Sequence, residues 1–327
     1  MPPEQPLLTV AIATFNAREL LSGVLDSLAR QTIAEHLHVV VVDDGSSDDT
    51  VAWMRRERPA VELIAHEQNL GVTRSLNECM GLARGEFVAL LNNDVELEPD
   101  CLALLVEELR AHPRAAASTP KLLDYHRRGH LDGAGDLYTQ WGTATRRGHG
   151  EPDTGQYDRA EAIFGVCAAV AVYRRSAVEL VGGLDEDFFA YLEDVDWSMR
   201  ALLAGFECRY QPAAVAYHMG SATLGKGPSD FNLYHVWRNG LWIIVKDLPL
   251  AVIARNLHRL LLGQLWQLSI ALRNRRLGTW LRAYRDALGG LGRMRAQRRQ
   301  IQARSTVAPG EIERWMTPVR RPAKRRG

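Results

Sequence analysis

The chain is short of the features that would place it in several common classes. Its four cysteines, Cys79, Cys101, Cys167 and Cys208, are widely spaced and form no CxxC pair. That predicts reduced, mostly buried thiols in a cytosolic protein rather than a disulfide framework. No basic segment followed by an apolar core opens the chain, so no secretory signal is expected. No GxGxxG follows the first apolar strand and no GxxxxGK[ST] occurs, which removes the main support for dinucleotide-binding and P-loop readings. Long apolar runs are also missing. The longest uncharged run in the carboxyl-terminal part, Leu260 to Leu272, has 13 residues including two glutamines, short of the ~20 needed to span a bilayer.

With 327 residues, 46% of them hydrophobic, the chain can bury the core of one large α/β domain and still carry an extension. The net charge of +1 conceals a division. Residues 251–327 hold 18 Lys+Arg against 3 Asp+Glu; subtracted from the totals of 40 and 39, this leaves 22 against 36 in residues 1–250. An acidic body with a basic tail predicts an anionic neighbour for the tail, here a membrane surface rather than nucleic acid.

One stretch organises the rest. Gly85-Glu86-Phe87-Val88-Ala89-Leu90-Leu91 is an unalternating apolar run that ends abruptly in Asn92-Asn93-Asp94. Such a run reads as a strand buried on both faces of a parallel sheet, and ligands of open α/β sheets sit beyond the carboxyl ends of the strands. Asp94 could therefore hold a hard divalent cation, or the three residues could be a polar turn. Before it come Leu7 to Ala13, closed by Thr14-Phe15-Asn16; His38 to Val42, closed by Asp43-Asp44; and Val61 to Ile64, followed by a loop through Asn69 and Gly71. Helical spacing over Arg18–Arg30, Val51–Arg58 and Thr73–Ala83 separates these strands, so strand and helix alternate as in a parallel sheet with right-handed crossovers. Ser47 and Asp48 suit a helix cap, but two carboxylates at the strand tip itself exceed what a cap needs.

In the second half, a helix is expected over Cys101–Arg110 and a further buried strand over Ile163–Tyr173. Residues 121–162 are Gly-, Arg-, His- and Asp-rich without periodicity and read as a long loop region with short strands. Residues 185–197 then concentrate six carboxylates and four aromatics, among them Glu193-Asp194 and Asp196-Trp197. Two short strands, Cys208–Tyr210 and Val215–Tyr217, lead to His218.

The segments Thr9 to Asn16, Val41 to Asp48, Asn69-Leu70-Gly71 and Leu91 to Asp94, in this order and spacing, resemble the successive motifs of family-2 glycosyltransferases with the GT-A fold. The resemblance extends from the amino terminus to His218 and inclines towards bacterial rhamnosyltransferases. It implies an α/β fold with a mostly parallel central sheet flanked by helices and a carboxyl-terminal helical extension. Residues 1–240 would form the catalytic domain, 1–98 for the nucleotide sugar and 99–240 for the acceptor, with 241–327 as the extension. By position, Thr14, Phe15 and Asn16 would surround the nucleotide base, Asp43 and Asp44 would accept hydrogen bonds from it, and Asn69, Gly71, Arg74, Asn92 and Asn93 would line the donor pocket. Asp94 and His218 would hold Mg²⁺ or Mn²⁺. The family's metal motif is commonly Asp-x-Asp, and Asn92 stands here at its first position. Asp194, with Glu193 beside it, matches the catalytic base of inverting members.

These parts imply inverting transfer of a sugar from a nucleoside-diphosphate donor to a hydroxyl of a polysaccharide or lipid-linked acceptor. A nucleotidyltransferase would use a similar sheet but needs no base at Glu193-Asp194, and a non-catalytic saccharide-binding module leaves that pair unexplained. Beyond His218 composition alone speaks. Leu257, Leu260, Leu261, Leu265 and Leu268 share a helical face near Arg255, Arg259, Arg273, Arg275 and Arg276, and the basic remainder reaches Arg320-Arg321 and Lys324-Arg325-Arg326. The pattern predicts a cytoplasmic enzyme lying peripherally on an anionic membrane; a helix packed on the catalytic domain, or on a second subunit of a homodimer, is the alternative.

Overall fold

The structure, a computed structural model, describes residues 6–220 and 229–319. The amino-terminal half runs β1 (Leu8–Thr14), α1 (Arg18–Ala29), β2 (Leu37–Asp43), α2 (Thr50–Glu57), β3 (Glu62–Ala65), α3 (Val72–Gly81) and β4 (Phe87–Leu91). The strands line up as β3-β2-β1-β4, all parallel. Period-two alternation explains why the apolar runs are continuous. Phe87, Ala89 and Leu91 of β4 face a core with α1, whereas Val88 and Leu90 face a second core with α3. All five are buried, each contributing on the order of 1.5–3 kcal/mol if as large as leucine.

The second half adds β5 (Val95–Leu97), α4 (Cys101–Ala111), β6 (Ala115–Asp124), β7 (Leu131–Gly133), β8 (Asp136–Thr139), β9 (Ala144–Arg146), β10 (Glu161–Ile163), β11 (Val170–Arg174), α5 (Arg175–Val181), α6 (Glu193–Leu203) and β12 (Glu207–His218). β11 inserts antiparallel between β4 and β6, and β12 lies parallel to β6. Two expectations change here. The run Ile163–Tyr173 is not one strand: its ends belong to β10 and β11, and between them Phe164–Ala169 leaves the ladder, keeping a single bridge from Gly165 to Asp136 and giving Ala168 N to the Asp194 carboxylate. Conversely, Cys208–Tyr210 and Val215–Tyr217 are one strand, β12, whose register jumps between Gln211 and Val215 on either side of Pro212. All four cysteines are buried and free.

The carboxyl-terminal helices α7 (Asp230–Lys246), α8 (Leu250–Arg273), α9 (Leu277–Gly289), α10 (Leu291–Ala303) and α11 (Pro309–Trp315) bury Trp242, Ile243, Leu260, Met294 and Ile312 in a third core shared with Val195 and Met199 of α6. A final short strand, β13 (Met316–Thr317), pairs with β8. The extension is thus joined to the body over its described length. Arg320-Arg321 and Lys324-Arg325-Arg326 lie outside the described residues.

Candidate active site

The tips of β1, β2, β4 and the 66–71 loop are tied into one floor. The Asn93 amide donates to Thr14 Oγ1 at 3.0 Å, and Asp44 N donates to Thr14 O at 2.8 Å. Asn16, in the left-handed region at φ 48°, uses its side-chain oxygen to accept from Ser47 N at 2.8 Å and so fastens the first loop to the second. Asp44 is buried and accepts from Leu70 N, Gly71 N and His66 Nδ1, each at 2.9 Å. His66 also reaches Glu78 at 2.7 Å; burial opposes its charge, but the two carboxylates outweigh this and raise its pKa. Asp43 differs from its neighbour. One of its oxygens accepts from Ser46 N at 2.9 Å, and the other, Oδ2, is buried without a partner among the described residues. Asp44→Ala is expected to lower stability by about 3 kcal/mol in denaturant unfolding, because three donors lose their acceptor. It should also raise the donor's apparent KM and alter discrimination among nucleotide bases.

Gly71 sits at φ +94°, and a Cβ there would meet the Phe189 ring at 2.6 Å. This contact brings the acidic loop of the second half against the first. That loop is held in an unusual conformation: Phe189, Tyr191 and Leu192 all have φ near +65°, a region that costs non-glycine residues on the order of 1–3 kcal/mol each. The compensation comes from α7. The Asn239 amide, fully buried, donates to the carbonyls of Phe188, Ala190 and Tyr191 at 3.2, 2.9 and 2.7 Å, and Arg238 donates to those of Asp187 and Phe188. Asn239→Ala should lower the melting temperature and reduce turnover more than donor affinity, since the loop sets the start of α6; a variant with wild-type melting and turnover would show that the loop holds itself.

Glu193 and Asp194 open α6. Asp194 is half-buried; its Oδ2 accepts from Ala168 N at 3.1 Å and its Oδ1 from Val195 N at 2.8 Å. Ala168 belongs to the bend between β10 and β11, and the next residue, Ala169, accepts from Asn92 N at 3.0 Å. Two bonds therefore link Asp194 to the tip of β4. Burial raises the Asp194 pKa, while the backbone donors and the Arg146 charge pull it part of the way back. Burial and the Asp194 charge push Glu193 up to about 8, and its Oε2 finds no partner among the described residues. The pair thus has its two environments set apart, the arrangement that lets one carboxyl stay protonated while the other ionises.

Asp94 and His218 lie side by side. Both are buried, with His218 Nε2 at 3.3 Å from Asp94 Oδ1 and His218 Nδ1 at 2.8 Å from Asp132 Oδ2. Arg146 pairs with Asp132, and His149 approaches the same carboxylate at 3.5 Å. Burial opposes the charge on His218, yet the bonds to Asp132 and Asp94 prevail and push its pKa up to about 9. Among the described residues no three His, Cys, Asp or Glu side chains stand close enough to hold a metal by themselves. The pair nevertheless fits a cation shared with a ligand: a carboxylate and an imidazole nitrogen face each other, and the other ring nitrogen is oriented by a carboxylate, as metal-binding histidines are.

Of the remaining expected residues, Phe15 is 40% exposed at the mouth of the floor, Asn69 accepts from Gly71 N at 3.2 Å, and the Arg74 side chain is half-exposed on α3 with Glu78 as neighbour at 3.8 Å. The sequence reading missed Asp132, Arg146 and Asn239. The first two lie in the aperiodic 121–162 stretch, and Asn239 looks like any amide on an apolar helix, so no local signal marks them. Ser47 carries no cap here; Asp48 Oδ1 accepts from Thr50 N at 3.1 Å.

Residues 9–182 match the model for the glycosyl transferase family 2. An uncharacterized protein of Sinorhizobium fredii is 29% identical over 67% of this chain, which spans only 25% of that relative. An N-acetylglucosaminyl-diphospho-decaprenol L-rhamnosyltransferase of Mycobacterium tuberculosis is 28% identical over 70% of this chain and 81% of its own length. Among solved structures, a mannosyltransferase from Pyrobaculum calidifontis in complex with GDP-Man and Mn²⁺ superposes with a TM-score of 0.57 at 20% identity, covering 95% of this chain and 87% of that one. The chain belongs to glycosyltransferase family 2, and its α/β body is the GT-A fold.

Proposed function

We propose that this protein is an inverting glycosyltransferase that moves a sugar from a nucleoside-diphosphate donor to a hydroxyl of a polysaccharide or lipid-linked acceptor. The observation that carries this reading is Asp194: a raised, half-buried carboxylate anchored by Ala168 N beside the tip of β4. In the transfer, the acceptor oxygen forms its bond to the anomeric carbon as the bond to the diphosphate breaks, and the acceptor's proton passes to Asp194. Positioned proton transfer of this kind is worth on the order of 10²- to 10⁴-fold. A single displacement needs no protein nucleophile and inverts the anomeric centre. Asp94 and His218 would hold Mg²⁺ or Mn²⁺, which supplies charge neutralisation to the leaving diphosphate. The unpartnered Asp43 Oδ2 supports placing the base or ribose at the tip of β2, with Asp44 holding the loop beneath and Thr14, Phe15 and Asn16 around it. Asn69, Gly71, Arg74, Asn92 and Asn93 complete the donor pocket, where Arg74 can pair with phosphate.

Residues 1–240 are the catalytic unit in this reading, and 241–327 the extension that keeps a cytoplasmic enzyme on the inner face of an anionic membrane. The lead donor is a dTDP- or UDP-sugar, with rhamnose favoured by the Mycobacterium tuberculosis relative. A panel of nucleoside-diphosphate sugars tests the proposal through release of the free nucleoside diphosphate. Release of sugar 1-phosphate instead, with the nucleotidyl group passed to the acceptor, would assign a nucleotidyltransferase, and binding of sugars without any turnover a saccharide-binding module.

A further inference from the structure

α8 carries its leucines on the outside. The residues it buries include Asn256, Gly263, Gln267 and Ala271, a small and amide-rich face at helical spacing. On the opposite side Leu257, Leu261, Leu265 and Leu272 are 51–60% exposed, whereas Leu260 alone of the expected leucine stripe is fully turned inward. The rotation is locked. A Cβ on Gly263 would lie 2.1 Å from Trp141 O, so the helix backbone rests directly on the turn between β8 and β9 and only a glycine fits there. Asn256 adds a second pin by donating to Glu313 Oε1 at 2.7 Å. The outward stripe is therefore a fixed surface, and water is an unfavourable neighbour for it.

Charge selects the occupant. Residues 248–285 contain seven arginines and no aspartate or glutamate; Arg255, Arg276 and Arg285 pair with Glu313, Asp230 and Asp286, and Arg259, Arg273, Arg275 and Arg282 keep the surface net positive. A second copy of the same face would oppose like charges, which disfavours self-association; an anionic lipid surface is complementary. Trp266, 46% exposed beside the stripe and 5.9 Å from Trp141, suits the headgroup boundary. No helix among the described residues is long and apolar enough to cross a membrane, so α8 would lie in the plane.

We propose that α8 lies along the boundary between headgroups and acyl chains of an anionic membrane, immersing Leu257, Leu261, Leu265 and Leu272, with its arginines on the phosphates. This deepens the membrane station proposed above and rests on it. The leucine face of α8, rather than the basic tail, becomes the anchor, and the tail only adds attraction. A chain cut at Lys246 cannot test it, because the third core would lose Val252, Leu260, Met294 and Ile312.

The test uses the full chain and vesicles of equimolar phosphatidylglycerol and phosphatidylcholine. Because all four native cysteines are buried, Leu261→Cys can be labelled selectively with an environment-sensitive fluorophore. Its emission should shift to the blue on these vesicles and be quenched by acyl-chain quenchers. Leu257→Ser/Leu261→Ser/Leu265→Ser should lower the vesicle partition coefficient at least about tenfold. The same variant should leave the melting curve and nucleoside diphosphate release with a water-soluble acceptor unchanged, which separates failure of the anchor from failure of the catalytic reading. A label that stays in a water-like environment, or a triple variant that partitions like wild type, would overturn the proposal. So would ultracentrifugation showing a wild-type dimer that the triple variant dissolves, since a second copy would then occupy the stripe.

Discussion

Asp194→Asn is expected to lower turnover at least about a hundredfold while leaving donor affinity within a few-fold, measured by steady-state release of nucleoside diphosphate and by donor titration. The asymmetry follows from the geometry. Ala168 N bonds to one carboxylate oxygen and Val195 N to the other, so the single amide oxygen of asparagine can keep the long-range bond to Ala168 N and with it the place of the bend, while the proton acceptor is lost. The pH dependence has a definite sign. Asp194 must be ionised to act, and burial raises its pKa, so the fall in turnover on acidification sets in at a higher pH than an ordinary aspartate would give. Glu193, pushed up to about 8, stays mostly protonated at neutral pH and leaves the neighbouring charge to Asp194. Near-normal turnover in the variant would remove Asp194 from the base role.

Asp94→Ala should weaken nucleoside diphosphate binding in the presence of Mn²⁺ at least about tenfold, to the level seen with EDTA, and abolish stimulation by Mg²⁺ or Mn²⁺. Asp94 is the only carboxylate in Asn92-Asn93-Asp94, and His218 Nε2 faces it at 3.3 Å. The variant should still fold, because His218 keeps its 2.8 Å bond to Asp132 and the pairing of β5 with β12 is made by the backbone. Calorimetry of metal and nucleotide binding reads the effect without relying on turnover. Wild-type activity untouched by EDTA would refute the metal role of Asp94.

Much of this architecture could be read from local pattern, and the physical reason is periodicity. β1, β2 and β4 are covered on both faces and therefore carry unbroken apolar runs, while α1 and α3 repeat at helical spacing; polar tips then mark where each strand leaves the core. Features made by distant partners were not legible in this way. The run 163–173 looks like a strand but spends Ala168 N on Asp194, 26 residues away, so part of it leaves the sheet. Asp132 acquires meaning only when β7 brings it to His218, 86 residues on. Asn239 matters because three residues of the acidic loop need their carbonyls held. On α8 the spacing announces a leucine stripe but not its direction; the contact of Gly263 with Trp141 decides that it faces outward.

The central claim is a single displacement assisted by Asp194. Once a donor is identified, nuclear magnetic resonance of the product at early times reports its anomeric configuration directly. The account predicts a configuration opposite to that of the donor's anomeric carbon, formed at a rate that collapses in Asp194→Asn. A product that retains the donor's configuration would contradict it, since retention requires a second displacement or a front-face path for which Asp194 is not the base.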